Sequence, residues 1–168
     1  MDATRLSGDA VVTGPPIIKD LVGAVPDPEL PWVTIAELGV LRGARISGER
    51  AVVEVTPTWS GCPAIDAITD SIRAVLTEAG FGLEQIEIHT TYSPAWTTDD
   101  ITHDGLRKLA QAGIAPPRRP AEDPQGATRC PLCDSSGVRQ VSEFGATPCK
   151  ALMVCNACLE PFDRFKEL

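Results

Sequence analysis

The segments Cys130-Pro131-Leu132-Cys133 and Cys155-Asn156-Ala157-Cys158 are two C-x2-C pairs separated by 21 residues. Two residues between cysteines allow one tight turn to direct both sulfurs at the same ion, and two such turns complete a tetrahedral shell of four thiolates. The spacing therefore predicts a zinc ribbon over residues 129–168. Its four metal ligands would be Cys130, Cys133, Cys155 and Cys158.

The cysteine pattern leaves two alternatives to structural zinc open. Iron also suits four thiolates, either as a single ion or as an iron–sulfur cluster. Two disulfides would instead require an oxidising compartment, and residues 1–12 have neither the basic nor the apolar region of a secretion signal. Because a four-thiolate site has no open coordination position, we expect this metal to be structural.

Composition and charge narrow the class of protein. The 168 residues include 15 Lys+Arg and 23 Asp+Glu, a net charge of −8, and 43% are hydrophobic, which is typical of a globular protein. Residues 1–114 have 8 basic and 16 acidic side chains, whereas residues 115–168 have 7 of each. Neither part has the excess of Lys and Arg that nucleic-acid binding requires. With no apolar run of about 18 residues, we expect a soluble cytoplasmic protein with no membrane or nucleic-acid partner.

A proline-rich stretch predicts the domain boundary. Residues 115–127 contain four prolines and no large apolar side chain, which favours an extended spacer over a helix or strand. We therefore predict three parts: an α+β domain over 1–114, a linker over 115–128 and the ribbon over 129–168.

Hydrophobic periodicity gives the element order of the first domain as α-β-β-α-β-α. This order predicts a small α+β sandwich with a three-stranded sheet. The predicted helices are 16–25, 63–79 and 103–112, and the predicted strands are 41–46, 51–56 and 83–90.

Cys62 follows a predicted strand and directly precedes the helix that begins at Pro63. Free N–H groups and the helix dipole lower a thiol pKa at such a position, so we expect a thiolate able to bind soft metal or act as a nucleophile. The alternative is an inert core cysteine. Asp27 and Glu29 lie in a stiff turn and could add hard ligands or a base if the fold brings them near Cys62, but such carboxylates are usually solvated surface.

Cys149 lies six residues before Cys155 in Thr147-Pro148-Cys149-Lys150. It could replace a ribbon ligand or add to another site, with Lys150 favouring its thiolate. The alternative is a small buried residue on a ribbon strand. The sequence contains no G-x-S-x-G, Walker A or G-x-G-x-x-G motif, and neither histidine lies in a metal or catalytic motif, so no enzyme is predicted.

The first domain resembles the metal–sulfur cluster biosynthesis family, which includes SufT-type and cytosolic iron–sulfur assembly proteins. The resemblance covers roughly residues 16–114. With the ribbon, and with residues 145–152 and 160–166, nearly the whole chain resembles the PaaD (PaaJ) family of phenylacetyl-CoA epoxidase accessory subunits. The first-domain segments that carry it are Asp27-Pro28-Glu29-Leu30-Pro31, Leu38-Gly39-Val40, Thr56-Pro57-Thr58 with Cys62-Pro63, and Ser93-Pro94-Ala95-Trp96-Thr97.

The resemblance implies an accessory or maturation factor for the bacterial oxygenase that converts phenylacetyl-CoA to its ring-1,2-epoxide in phenylacetate degradation. It implies structural zinc and a transient iron or iron–sulfur cluster, with Cys62 as the transfer residue. The residues implied to assist Cys62 in this transfer are Asp27, Glu29, Thr58 and Cys149. Relatives commonly have a further cysteine after the Phe-Lys that matches residues 165–166, whereas Glu167 follows here, which leaves Cys149 without a companion.

The implied partners are components of the oxygenase complex, either the di-iron oxygenase or its iron–sulfur reductase. Because clusters usually take four ligands and residues 1–114 contain one cysteine, we expect a homodimer or a client complex during transfer. An alternative is a stable structural or regulatory subunit that uses the ribbon as a docking surface. A thiol enzyme with Cys62 as nucleophile would require a nearby base.

Overall fold

The computed structural model describes residues 15–117 and 127–167. The element order α-β-β-α-β-α, followed by three further strands, confirms the predicted α+β fold class with a C-terminal ribbon. No helix within the described residues has the length and apolar character needed to cross a membrane. The helices are α1 (Pro15–Gly23), α2 (Ala64–Glu78) and α3 (His103–Gln111), and the strands are β1 (Leu41–Ser47), β2 (Arg50–Val55), β3 (Ile86–Thr90), β4 (Val138–Ser142), β5 (Lys150–Cys155) and β6 (Pro161–Phe165).

The first sheet has the order β1-β2-β3. Strands β1 and β2 form an antiparallel hairpin, and Gly48 in its turn has a φ of 62°, a backbone conformation that glycine adopts without strain. Strands β2 and β3 are parallel, and α2 makes the crossover between them. As the central strand, β2 is almost entirely buried.

Helix α2 covers this sheet with a stripe of side chains spaced four residues apart, Ala64, Ile68, Ile72 and Leu76. Residues four apart lie on one face of a helix, so the stripe packs into a single core together with Val53 and Val55. The beginning of α2 is thereby fixed against the end of β2, and Cys62 lies in the short connection between them.

The second sheet is an antiparallel meander with the order β4-β5-β6. Its own buried core is small and includes two of the predicted metal ligands. A sheet with so few apolar side chains has little hydrophobic stabilisation, which is consistent with a metal-dependent ribbon. The buried members of this core are Ala115, Cys130, Met153, Cys155 and Phe162.

The ribbon is docked on the first domain through β6. Ala115, the first residue of the predicted linker and part of the ribbon core, pairs with β6: its N–H donates to the carbonyl of Asp163 at 2.8 Å, and its carbonyl accepts the N–H of Phe165 at 2.9 Å. The Phe165 side chain is 1% exposed and belongs to the first domain's core, with its ring centroid 6.1 Å from that of Trp96. Residues 118–126 of the predicted linker lie outside the described residues, and the three-part division of the chain stays a prediction.

Gly39 lies where two loops meet beside the core. Its φ is 71°, and a Cβ on this residue would lie 2.5 Å from the carbonyl oxygen of Asp100. The same aspartate accepts two hydrogen bonds from the guanidinium of Arg42, at 2.9 and 3.0 Å. The neighbouring Leu38 carbonyl accepts the indole N–H of Trp96 at 2.8 Å.

Gly39→Ala should lower the free energy of unfolding by more than about 2 kcal/mol, because it adds a backbone clash to the roughly 1–2 kcal/mol of left-handed strain. Gly48→Ala is the matched control, since Gly48 also has positive φ but a Cβ there meets nothing within 4 Å. Urea denaturation of both variants measures the difference. Equal losses for the two variants would show that the contact with Asp100 adds nothing.

Candidate functional site

The four ribbon cysteines form one compact cluster. Their Sγ atoms all lie within 4.8 Å of one another, with 3.7 Å between Cys130 and Cys158 and 3.6 Å between Cys133 and Cys155. Four thiolates at about 2.3 Å from one ion at the centre of a tetrahedron are separated by about 3.8 Å. The spacing of the sulfurs thus fits a metal site, and these residues would hold the ion.

The thiols of this cluster are free. Separations of 3.6 and 3.7 Å are far longer than the roughly 2.05 Å of an S–S bond, so the disulfide alternative does not describe this structure. Backbone N–H groups of Cys158 and Ala157 donate to the sulfur of Cys155 and lower its pKa to about 6. The pKa values of Cys133, at about 12, and of Cys158 are raised, so these thiols would lose their protons as the cation binds, whereas Cys155 is already deprotonated near neutral pH.

A second cluster of polar side chains and sulfurs lines a cavity between the two domains. The cavity has a volume of about 20 Å³, enough for one water-sized occupant. Apolar side chains of the first core, together with Phe165, form the rest of its wall. The lining residues that can bind a ligand or a proton are Asp27, Glu29, Thr58, Cys62 and Cys149.

Cys62 lies one residue before the N-cap of α2, as the sequence predicts, but its pKa shifts in the direction opposite to the one expected. Burial raises the pKa of Cys62, and the carboxylates of Glu29 and Asp27 raise it further. The backbone N–H of Ala64 and the hydroxyl of Thr58 act in the lowering direction but do not compensate. The expectation of a helix-stabilised thiolate was therefore wrong, because desolvation and two nearby acids outweigh the free N–H groups of the helix.

Asp27 and Glu29 meet Cys62 at this cavity. Asp27 is only 7% exposed, and its Oδ1 accepts the backbone N–H groups of Glu29 at 2.8 Å and Leu30 at 2.9 Å. Burial raises the pKa of both carboxyl groups, and Asp27 raises that of Glu29 as well. Most acidic side chains are solvated. Asp27 is instead buried, and the backbone N–H groups of its own turn hold its carboxylate in place at the cavity.

Cys149 lies at the same cavity, where sequence reasoning did not place it. It precedes β5, packs against the core of the first domain and faces Thr147, whose Oγ1 is 3.0 Å from its Sγ. The cysteine that relatives have near the C-terminus is absent here, but docking of the ribbon places Cys149 at the cavity that Cys62 also lines. No local pattern could have shown this, since the two cysteines are 87 positions apart and belong to different domains.

Lys150 is the cation beside this acidic cavity. It is 5% exposed, and its Nζ is 3.6 Å from a carboxylate oxygen of Asp163. Its charge acts in the lowering direction on the pKa values of Asp27, Glu29 and Cys149, but burial keeps all three raised. Neither His89 nor His103 lines the cavity.

Comparisons with known families divide the chain at the same place as the two sheets. Residues 18–89 match the family described as "Iron-sulfur cluster assembly protein". Residues 115–166 match the family described as "PaaD zinc beta ribbon domain". The first match contains Cys62 with both carboxylates, and the second contains the four-cysteine cluster and Cys149.

Individual relatives show the same two-part similarity. Over 153 residues the chain is 42% identical to an Escherichia coli K12 protein named as a subunit of "Putative 1,2-phenylacetyl-CoA epoxidase", and the match covers 87% of this chain and 88% of that protein. It is 34% identical over 74 residues to "Fe-S protein maturation auxiliary factor SufT" of Staphylococcus aureus USA300, a match that covers 44% of this chain and 82% of SufT. A crystal structure of a domain of unknown function, DUF59, from Bacillus anthracis aligns with a TM-score of 0.51 and 26% identity, covering 56% of this chain and 89% of that one.

Removing the ribbon metal with a chelator should unfold β4–β6 and leave β1–β3 folded, because the ribbon's own core is small while structural zinc contributes about 10–16 kcal/mol in comparable peptides. Hydrogen exchange resolved by peptide measures both sheets. Cys130→Ser should reproduce the effect of the chelator, and Cys149→Ser, outside the four-cysteine cluster, should retain the metal. If the backbone amides of β4–β6 stayed fully protected from hydrogen exchange after metal removal, the structural role of the metal would be contradicted.

Glu29→Gln should speed alkylation of Cys62 at fixed pH, because removing a neighbouring negative charge lowers the thiol pKa and increases the thiolate fraction. Mass spectrometry of the Cys62 peptide after timed iodoacetamide treatment measures the rate. The exposed Glu49→Gln is the control and should leave the rate unchanged. A slower rate for Glu29→Gln would reverse the sign that we assign to this carboxylate.

Proposed function

The chain belongs to the PaaD family of 1,2-phenylacetyl-CoA epoxidase subunits, and on that premise we propose that it is a non-catalytic maturation factor of this oxygenase system. Its work would be to assist the assembly of iron or iron–sulfur centres in the multicomponent oxygenase that forms the ring-1,2-epoxide of phenylacetyl-CoA. The match of residues 18–89 to an iron–sulfur assembly family and the similarity to SufT support this role.

The observation that carries the proposal is the contrast between the two clusters of thiols. The ribbon cluster has four sulfurs within 4.8 Å and offers a cation no open position. The interdomain cavity instead combines Cys62 with the carboxylates of Asp27 and Glu29 around a space for one small occupant. A permanent structural metal fits the first cluster, and a cargo that must be released fits the second.

Zinc is the metal that we assign to the ribbon. A closed set of four thiolates is the usual shell of structural zinc, and the ribbon match carries the same description. There zinc would supply a fixed crosslink between the turn at Cys130-Cys133 and the turn at Cys155-Cys158. It would thereby hold β5 and β6 in the arrangement that docks on the first domain.

Cys62 is the residue that we assign to cargo binding. Because its pKa is raised, its resting form at neutral pH is the neutral thiol, which resists alkylation and oxidation better than a thiolate. On binding a cation the thiol would release its proton, and on handing the cation to a client it would take a proton back. No electron transfer is required in either step.

The client that we propose is either the di-iron oxygenase or its iron–sulfur reductase. The cavity offers fewer than the four thiolates that an iron–sulfur cluster usually takes. Further ligands would therefore come from a client or a second copy of the chain.

Exposed apolar residues on the ribbon favour a second candidate function, a stable docking subunit of the oxygenase. Leu132 and Leu159 lie at the two metal-binding turns and are 60% and 75% exposed. Apolar side chains presented on rigid turns are suited to a protein interface. In this case Cys62 would only pack, and the protein would remain bound to the oxygenase at fixed stoichiometry.

A thiol enzyme has less support. Nucleophilic catalysis by Cys62 would require a lowered pKa or an adjacent base that activates the sulfur. Its pKa is raised, and neither histidine is among the residues that line its cavity.

Metal analysis of protein purified without oxygen tests the proposed function. Wild type, Cys62→Ala and the exposed neighbour Ser60→Ala should each hold about one zinc per chain, because the ribbon is intact in all three. After incubation with iron and sulfide, only wild type and Ser60→Ala should gain iron. Elemental analysis and acid-labile sulfide determination measure both.

Equal iron uptake by wild type and Cys62→Ala would reject cargo binding by Cys62. The docking alternative would then be supported by a stable complex with the other oxygenase components that Cys62→Ala forms as well as wild type. Constant recovery of that complex by size-exclusion chromatography is the measurement. An oxygenase fully loaded with iron in cells that contain only Cys62→Ala would reject the maturation role itself.

A further inference from the structure

The two cysteines outside the ribbon cluster come from different domains and line one cavity. Cys62 precedes α2 in the first domain, and Cys149 precedes β5 in the ribbon. The position of Cys149 is fixed by its own carbonyl, which accepts the N–H of Lys166 at 2.9 Å, next to the buried Phe165. Docking of β6 on the first domain therefore determines where this sulfur lies.

The cavity has more acidic groups than neighbouring cations. Two carboxyl groups and two thiols meet there, and among the neighbouring groups that act on them Lys150 is the cation. Burial keeps the carboxyl and thiol groups closer to their neutral forms than they would be in water. A divalent cation that displaced two thiol protons would leave the charge of the site unchanged while giving both sulfurs a partner.

The donor set indicates which cation this would be. Thiolates prefer soft and borderline metals such as Fe²⁺ and Zn²⁺, and they bind Mg²⁺ and Ca²⁺ poorly. Within residues 15–117 and 127–167, the ribbon cysteines are the group of three or more such ligands whose atoms lie within 4.8 Å of one another. Cys62, Cys149 and the two carboxylates line the cavity but do not form such a group in this structure, so their side chains would have to turn toward the ion when it binds.

Packing alone is the competing explanation for Cys149. A buried cysteine often serves as a small apolar side chain. Cys149 does pack against the first core, but it also has polar neighbours that a side chain filling space does not need, namely Thr147, Lys150, Cys62 and Glu29. This polar surrounding is the reason to assign a ligand role to Cys149.

We propose that Cys62 and Cys149 together form a two-thiolate site, shared between the two domains, that binds a single Fe²⁺ with Asp27 or Glu29 as a further ligand. Two thiols lose two protons when the ion binds, and no oxidant or reductant is needed. The proposal rests on the proposed function and adds to it that the ribbon supplies half of the sulfur ligands. Movement of the ribbon away from the first domain would then open the site and release the ion.

Cobalt binding to the full chain tests this site. The ribbon is first saturated with one equivalent of zinc under anaerobic conditions, and Co²⁺ is then added as the probe, because sulfur-to-cobalt charge-transfer absorption grows with the number of bound thiolates. Wild type should bind one further Co²⁺ through two thiolates. Cys149→Ala and Cys62→Ala should each halve the charge-transfer intensity and weaken binding by more than about tenfold, since even loss of outer-shell partners costs about 10–100-fold.

Carboxylate variants and a folding check complete the experiment. Glu29→Gln should weaken Co²⁺ binding if Glu29 is the further ligand and Asp27→Asn if Asp27 is, whereas the exposed ribbon variant Glu143→Gln should not. Cys149→Ser is measured beside Cys149→Ala, and retained ribbon zinc shows that each variant folds. In wild type, bound Co²⁺ should protect Cys62 and Cys149 from alkylation together.

Three outcomes would overturn the shared site. The first is that zinc-saturated wild type binds no Co²⁺. The second is that Cys149→Ala binds Co²⁺ with the affinity and charge-transfer intensity of wild type. The third is that bound Co²⁺ protects Cys62 from alkylation but does not protect Cys149. The last two outcomes leave Cys62 as cargo ligand and so leave the proposed function standing. Loss of iron uptake in Cys62→Ala, measured separately, decides that function whatever the result for Cys149.

Discussion

The docking of β6 on the first domain is the contact on which the cavity between the two domains depends. Two main-chain hydrogen bonds join Ala115 to Asp163 and Phe165, and the Phe165 ring is buried in the core formed by α2 and the first sheet. An aromatic side chain of this size buries roughly 150–250 Å² of surface, which is a large share of what a small ribbon can contribute. Through this contact the ribbon becomes one wall of a cavity in the neighbouring domain and places Cys149 there.

Two sets of thiols in one chain have different environments, and the difference follows from elementary electrostatics. In the ribbon, the pKa values of Cys133 and Cys158 are raised, but backbone N–H groups point at Cys155 and lower its pKa to about 6, so one of the four thiols is deprotonated before a cation binds. In the interdomain cavity, burial and the carboxylates of Asp27 and Glu29 raise the pKa of Cys62. A thiol that must lose its proton against this environment binds a cation less tightly than an unhindered thiolate, as the proposed transfer of a cation to a client would require.

The acidic turn at Asp27 illustrates how the site depends on parts of the chain far apart in sequence. Asp27 is held by the N–H groups of Glu29 and Leu30, and Lys150, buried on the ribbon, acts on both carboxyl groups of the turn. The first domain supplies the acids and the ribbon supplies the cation. The same interface therefore balances charge and places the sulfurs, so separating the two domains would change both together.

The sequence by itself determined the order of helices and strands in the first domain, the spacing of the four ribbon ligands and the position of Cys62 before α2. These are local properties, because helix periodicity, a C-x2-C turn and a proline at a helix start act over only a few residues. Tertiary structure alone decided that Cys149 meets Cys62, that Lys150 is buried beside Asp27 and that the pKa of Cys62 is raised. Burial and charge at a side chain depend on whatever the fold packs against it, here a second domain whose Cys149 lies 87 positions after Cys62 in the chain.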